Sequence, residues 1–425
     1  MVGCGSFIAC AATHLYAATN QIVIVETYTL PRGSLSQLGN PDCSEAALEE
    51  ARGNGLKFTD LLSLGSGLAK SGPNELVGLT DRGPNGVVTE NGMERRTFPL
   101  PQFCPTIVRL KLTNTQIQIV QAIPLTDAHE KRISGLSNLE GEARLFESAD
   151  AKAPLPLDPD GVDTEGIRVF ADGKFLLSEE YGPSLLVVNT NGEVLMRYMP
   201  QTKPLPGATY PVKPILPSVL AQRRNNRGIE ALALSPDGRT AYAILQSPAG
   251  DEENKRIKNS RVARAIRLDV NDPLNARVTG HFLMPLSPAA DYSPTLKQQN
   301  VKLNDAEWLA PDQLLVLESG KEFARLVVAD FREATNLLGR TDENTLAFES
   351  VGENLSRLTV KPAQTEIWAS TQGLSGFGPK LEGLAILSPT EIAVANDNDF
   401  GLGEGTAGEL SRIWILRLNP PLPQP

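Results

Sequence analysis

Residues 230–248 read EALALSPDGRTAYAILQSP, and the same pattern recurs along the chain. A carboxylate opens the stretch, a short apolar run follows, Ser-Pro-Asp-Gly interrupts it, and a second apolar run ends in small polar residues. Pro-Asp-Gly is a turn with a mechanism: proline pre-sets φ, and Asp and Gly tolerate the tight positions after it. The flanking runs are too short for helices, so the unit is a β-hairpin. Residues 165–183 (EGIRVFADGKFLLSEEYGP), 305–321 (DAEWLAPDQLLVLESGK) and 382–401 (EGLAILSPTEIAVANDNDFG) repeat it, and 66–86 (SGLAKSGPNELVGLTDRGPNG) repeat it with a weaker start. Strand candidates such as TIVRLKL, SLLVVNT, VARAIRLDV and SRIWILRL follow the hairpins. Four strands per unit is the make-up of a propeller blade. The chain therefore reads as an all-β protein, a propeller of four-stranded antiparallel blades. Five repeats are recognisable and about six blades are expected, a degenerate one falling near 127–160 or 340–378. The strand at 21–30 (QIVIVETYTL) is suited to close the last blade, and residues 20–420 are expected to form a single domain. Ser44–Arg52 reads as a short helix with Ser44 as its cap.

Composition narrows the function classes. Among 425 residues, 50 acidic side chains outnumber 40 basic ones, for a net charge of -10. Nucleic-acid binders carry the opposite surplus, because phosphate contacts supply most of their affinity. No apolar run reaches the ~18 residues of a membrane-spanning helix. Residues 1–19 are small and apolar, and despite lacking a basic n-region they read as a signal peptide, which predicts a secreted or periplasmic protein. Its removal would take Cys4 and Cys10, leaving Cys43 and Cys104 as the expected disulfide.

No GxSxG elbow, P-loop, HExxH or dinucleotide fingerprint is present. Three histidines, His14, His129 and His281, offer little for a histidine metal site. The positive signal is a ring of carboxylates. Inner strands of a propeller line its channel, so Glu165, Glu230, Asp305 and Glu382 should converge at one mouth. Antiparallel pairing returns the ends of the second strands to that face, adding Asp81, Glu179, Glu180, Glu318, Asp397 and Asp399. Crowded carboxylates must be protonated, paired with bases or bound to a cation, and oxygen-only donors suit Ca²⁺ or Mg²⁺. The expected metal set is Glu165, Glu230, Asp305, Glu382, Asp397 and Asp399, with Ca²⁺ as the ion. Asp81 or Glu180 would act as general base, and Arg82, Arg168, Lys321 and Lys380 would bind a small anionic or ester substrate. The competing account is that the acids cap turns and pair with these same bases.

The blocks GLTDRGPNG (78–86), EGIRVFADG (165–173), SEEYGPSLLVV (178–188), GIEALALSPDG (228–238) and KLEGLAILSPTEIAVANDND (380–399) resemble the esterase-like phytase domain family, from about Ser63 to Leu418. The resemblance implies a propeller fold, export and hydrolase chemistry, and calcium-dependent propeller phytases are similar in architecture. The combined expectation is an exported metal-assisted esterase or phosphoesterase. The alternative is a non-catalytic binding propeller with a structural calcium.

Overall fold

The computed structural model describes residues 21–423 apart from 45, 48–59, 74, 91–92, 141–144, 147–152, 252 and 404–405. The chain is all-β, with few and short helices, and its strands form five blades around a channel. Blade 1 runs Gly67–Gly72, Glu75–Leu79, Thr106–Thr113 and Gln116–Pro124. Blade 2 runs Thr164–Val169, Phe175–Glu179, Ser184–Val188 and Val194–Pro200, with Val212–Leu216 added in parallel at its edge. Blade 3 comprises Ile229–Leu234, Thr240–Leu245, Val262–Asp269 and Arg277–Pro285, and blade 4 comprises Lys302–Ala310, Gln313–Ser319, Ala324–Asp330 and Gln364–Ser370. In blade 5 the strands Leu381–Ser388, Glu391–Asn396 and Arg412–Asn419 are completed by Gln21–Thr29, which pairs antiparallel with Arg412–Asn419. The last blade is thus closed by the N-terminal strand, and the ring has no open edge there.

Apolar cores sit between neighbouring blades. Leu176 and Leu185 of blade 2 pack with Leu232 and Ala243 of blade 3; Ala385, Ala393 and Ile415 of blade 5 pack with Leu68 and Leu76 of blade 1. Five such interfaces close the ring with five blades, one fewer than expected. Within 127–160, the described residues form turns, isolated bridges and one two-residue strand, Leu145–Phe146, which pairs in parallel with Arg96 and Thr97 outside the five blades. Residues 340–363 carry only turns and short 3-10 helices laid on the outside of blade 3, where Glu349 meets Arg264 at 2.6 Å. Among the described residues, the long intervals between repeats are loop insertions and form no further blade.

Inner strands are packed on both faces, so they read as continuous apolar runs rich in small residues. All six residues of Ile229–Leu234 are buried. Close approach of the inner strands explains the glycine at Gly166: a Cβ there would lie 2.7 Å from the Glu230 carbonyl oxygen. At the outer end of the hairpin, Gly238 takes φ +69°, and Ser235 Oγ accepts the Thr240 N–H at 2.9 Å.

Cys43 and Cys104 do not pair. Both are buried free thiols. Cys104 Sγ donates to the Leu125 carbonyl at 3.1 Å and Cys43 Sγ to that of Pro99 at 3.8 Å, so the two point to different neighbours. Burial pushes both thiols up, Cys43 to about 11 and Cys104 to about 12. The expected helix at Ser44–Arg52 falls largely outside the described residues, as do residues 1–19.

Candidate functional site

A β-bulge recurs near the start of the inner strands of blades 2–5. In blade 3 pairing skips from Ile229 to Ala231, and in blade 5 from Leu381 to Gly383. Bulges re-aim side chains, and the skipped residues, Glu230 and Glu382, line a cavity at the channel mouth. The cavity holds about 710 Å³ and is lined by seven carboxylates, Asp81, Glu165, Glu180, Glu230, Glu382, Asp397 and Asp399, and by four cations, Arg82, Arg96, Lys302 and Lys380. Acids exceed bases, and the excess governs their protonation.

Two groups of three carboxylates have oxygens within 4.8 Å of one another, Asp81/Asp397/Asp399 and Asp163/Glu165/Glu180, and either could hold a metal ion. Each group already carries one base. Lys380 Nζ meets Asp397 at 2.8 Å and Asp399 at 2.6 Å, and Arg82 meets Asp163 at 2.6 Å and Glu180 at 3.1 Å. Among the described residues Glu165 has no hydrogen-bond or ion-pair partner, although it is 7% exposed. Burial, then Glu230 and Asp163, push its carboxyl well above the usual range. Burial followed by Asp397 and Asp163 does the same to Asp81, and burial with Glu180 and Glu382 does so to Glu230. Glu382 rises to about 7, burial prevailing over Lys380. Asp397 is buried too, but Lys380 and the Ser63 hydroxyl hold it below its ordinary value.

Local sequence explains the placement of the second-strand ends. In Asn396-Asp-Asn-Asp, the two asparagines tie the loop down: Asn396 accepts from Arg412 N at 2.7 Å, and Asn398 donates to the Leu62 and Glu409 carbonyls. The alternate residues, Asp397 and Asp399, face the cavity. Three lining residues, Asn226, Lys380 and Asp399, have φ of +55°, +53° and +47°. Such left-handed backbone at non-glycine positions costs of order 1–3 kcal/mol each and clusters at functional sites.

Several expected residues stand elsewhere. Asp305 is not at the mouth. It sits deeper, where Arg168 Nη2 binds it at 2.7 Å and Leu384 N donates to it at 2.9 Å. In blade 4 pairing skips from Leu303 to Asp305, so the residue equivalent to Glu230 and Glu382 is Asn304. Lys302-Leu-Asn-Asp thus matches Lys380-Leu-Glu-Gly, one residue out of the expected register. Arg168 is consumed by this pair and does not line the cavity. Lys321 is exposed on a loop of blade 4 and also lies away from it. Glu318 accepts from Ser287 N and Tyr292 OH, and Glu179 is paired with Arg197 at 2.9 Å.

Other lining residues went unpredicted. Lys302 lines the cavity with no ion pair or hydrogen bond among the described residues; its signal is the Lys-Leu pair shared with Lys380. Asn226, in the basic stretch RRNNR, accepts from Arg82 Nη2 at 2.6 Å. The ribbon Gly86–Glu90 and Met93–Thr97 brings Val87 and Arg96 over the mouth.

A family model described as "Phytase-like: Esterase-like activity of phytase" matches residues 63–400, most of the chain and all five inner strands. The chain belongs to the phytase-like family. An uncharacterized secreted protein of Arthroderma benhamiae is 24% identical over 183 residues, 39% of this chain and 35% of that protein; the match thus spans about a third of that relative's length. Similar solved structures include a PQQ-bound aldose sugar dehydrogenase of Streptomyces coelicolor (12% identity, 95% of this chain and 99% of that one, TM-score 0.36). A periplasmic gluconolactonase of Pseudomonas aeruginosa is another (12% identity, 94% and 98%, TM-score 0.31). No helix among the described residues is long and apolar enough to cross a membrane.

Proposed function

We propose that this phytase-like propeller is an exported metal-assisted esterase or phosphoesterase acting on a small anionic or ester substrate at the acidic mouth. The observation that carries the reading is the pair of three-carboxylate groups at one cavity, all of whose members but the buried Asp163 line it, with the Glu165 carboxylate left without a partner among the described residues. The donor set fits a hard divalent cation: every ligand is a carboxylate oxygen, which suits Ca²⁺ rather than zinc. Asp81, Asp397 and Asp399, or Asp163, Glu165 and Glu180, would hold it. A cation held there supplies Lewis acidity and lowers the pKa of water.

The chain's own residues supply the rest. Lys302, free of other partners, and Lys380 attract a phosphoryl or carboxyl oxygen into the mouth and offset charge that develops on it. Of Asp81 and Glu165, both pushed up by burial, the one whose group does not hold the cation keeps a proton at pH values where an ordinary carboxylate has lost it, the property a general acid or base needs. Glu180, engaged by Arg82, orients the guanidinium instead of moving a proton. Export rests on the residue 1–19 reading and on the secreted designation of the Arthroderma relative.

The self-pairing of Lys380 and Arg82 with these acids favours a second reading, a non-catalytic binding propeller. The test is turnover of p-nitrophenyl phosphate and p-nitrophenyl acetate before and after EDTA, with bound calcium counted. Stoichiometric calcium and chelator-sensitive hydrolysis support the enzyme. Bound calcium without turnover on either ester supports the binding reading.

A further inference from the structure

The channel has a second mouth, and a separate cavity of about 370 Å³ opens there. Its lining draws on the far ends of all five inner strands: Lys70 from blade 1, Arg168 from blade 2, Leu234 from blade 3, Glu307 and Trp308 from blade 4, and Ile386 from blade 5. The Arg168–Asp305 pair separates it from the acidic mouth. Arg168 Nη1 also donates to the Leu68 carbonyl at 2.9 Å, so this plug ties three blades across the axis.

One atom of the plug is left over. Arg168 Nε is buried and has no hydrogen-bond partner, although the residue is only 4% exposed. Glu307 Oε2 lies 3.9 Å from this atom, too far for a hydrogen bond but a span that one bridging oxygen can fill. A hydroxyl suits this gap because it accepts from the guanidinium and donates to the carboxylate at once. A bare anion would be repelled by Glu307, and a bare cation by Arg168 and Lys70. Beside the pair lies Trp308, half-buried, its indole N–H unpartnered among the described residues. The same tryptophan, with Ser235 and Pro236, also borders a wider polar groove of about 880 Å³ carrying Asp237, Arg267, Asn271 and Asp312. An aromatic face, a donor–acceptor pair set to share one hydroxyl, and further polar side chains along the rim are what a sugar ring presents itself to: apolar C–H faces and rows of hydroxyls.

We infer that the mouth opposite the acidic cavity is a carbohydrate-binding site, in which Trp308 stacks on a sugar ring and Arg168 Nε and Glu307 share one of its hydroxyls. The site is independent of the proposed hydrolytic mouth. Its volume falls within the ~300–1,000 Å³ usual for ligand pockets.

The experiment is saturation-transfer NMR on the full chain with D-glucose, D-mannose and D-galactose in turn, followed by titration of any sugar that responds. The expected result is transfer to at least one sugar, with affinity falling at least tenfold in Trp308→Ala and in Glu307→Gln. Binding should be unchanged in Glu230→Gln, at the other mouth. Neither Trp308 nor Glu307 is fully buried, so both variants should fold, and circular dichroism checks this. No transfer from any of the three sugars overturns the inference, as does sugar binding indifferent to both variants or abolished by Glu230→Gln.

Discussion

Replacing Arg168 by methionine tests the plug at the centre of the channel. The guanidinium donates to Asp305 Oδ1 at 2.7 Å, to the Leu68 carbonyl at 2.9 Å and to the Ala306 carbonyl. Asp305 is wholly buried, and its other donors are the backbone N–H groups of Ala306 and Leu384. Removing one partner of a buried pair leaves an uncompensated charge and costs ~3–5 kcal/mol. Burial pushes Asp305 up to about 7 even with Arg168 beside it. Without Arg168 the carboxyl keeps its proton to higher pH still. A carboxyl raised in the folded state destabilises it as pH climbs from the ordinary carboxylate value through the folded one. The variant should therefore lose most at pH 8 and least at pH 5. Adding Asp305→Asn removes the charge while retaining an acceptor for Leu384 N, so the double variant should regain much of the loss. Urea unfolding at both pH values measures all of this. A single-variant cost below about 1 kcal/mol, an equal cost at pH 5 and 8, or a double variant no more stable than Arg168→Met would refute the reasoning.

Three further outcomes follow from the same geometry. Calcium should raise the melting temperature more at pH 8 than at pH 5, because Asp81 and Glu165 hold protons at the lower pH; equal shifts at both would show that these acids are not the ligands. Lys302→Gln should raise KM for p-nitrophenyl phosphate about tenfold, the loss of one charge-assisted contact, with little change for the neutral acetate ester; steady-state kinetics on both decide it. Alkylation in denaturant without reductant, followed by peptide mapping, should label both Cys43 and Cys104, and recovery of a peptide pair linked through these two would contradict the structure.

The fold was readable because its information is local. Each hairpin carries its turn chemistry within four residues, as in Ser235–Gly238, and the repetition of that unit names the architecture. The blade count was less readable: loop insertions such as 340–363 lengthen the spacing without adding strands. At the mouth, Asp81, Glu165, Glu180, Glu230, Lys380, Glu382, Asp397 and Asp399 all line one cavity, as repeat position and antiparallel pairing implied. Asp305 failed for a definite reason. A bulge moves register by one residue, and aligning the acids of blades 4 and 5 hides the better match of Lys302-Leu-Asn304 to Lys380-Leu-Glu382. Arg168 and Asn226 could not be sorted from sequence, because whether a polar side chain faces the cavity or a buried partner depends on contacts more than a hundred residues away.

The most direct measurement is calorimetric titration of Ca²⁺ into chelator-stripped protein, comparing the wild type with the double variant Asp81→Asn/Glu165→Gln and with Asp305→Asn. Binding to the wild type, sharply weakened in the double variant and retained in Asp305→Asn, is the predicted result, since Asp81 and Glu165 each belong to one of the two three-carboxylate groups and Asp305 belongs to the plug. Absence of calcium binding in the wild type, or equal loss in the two variants, would contradict the account of the mouth as a cation site.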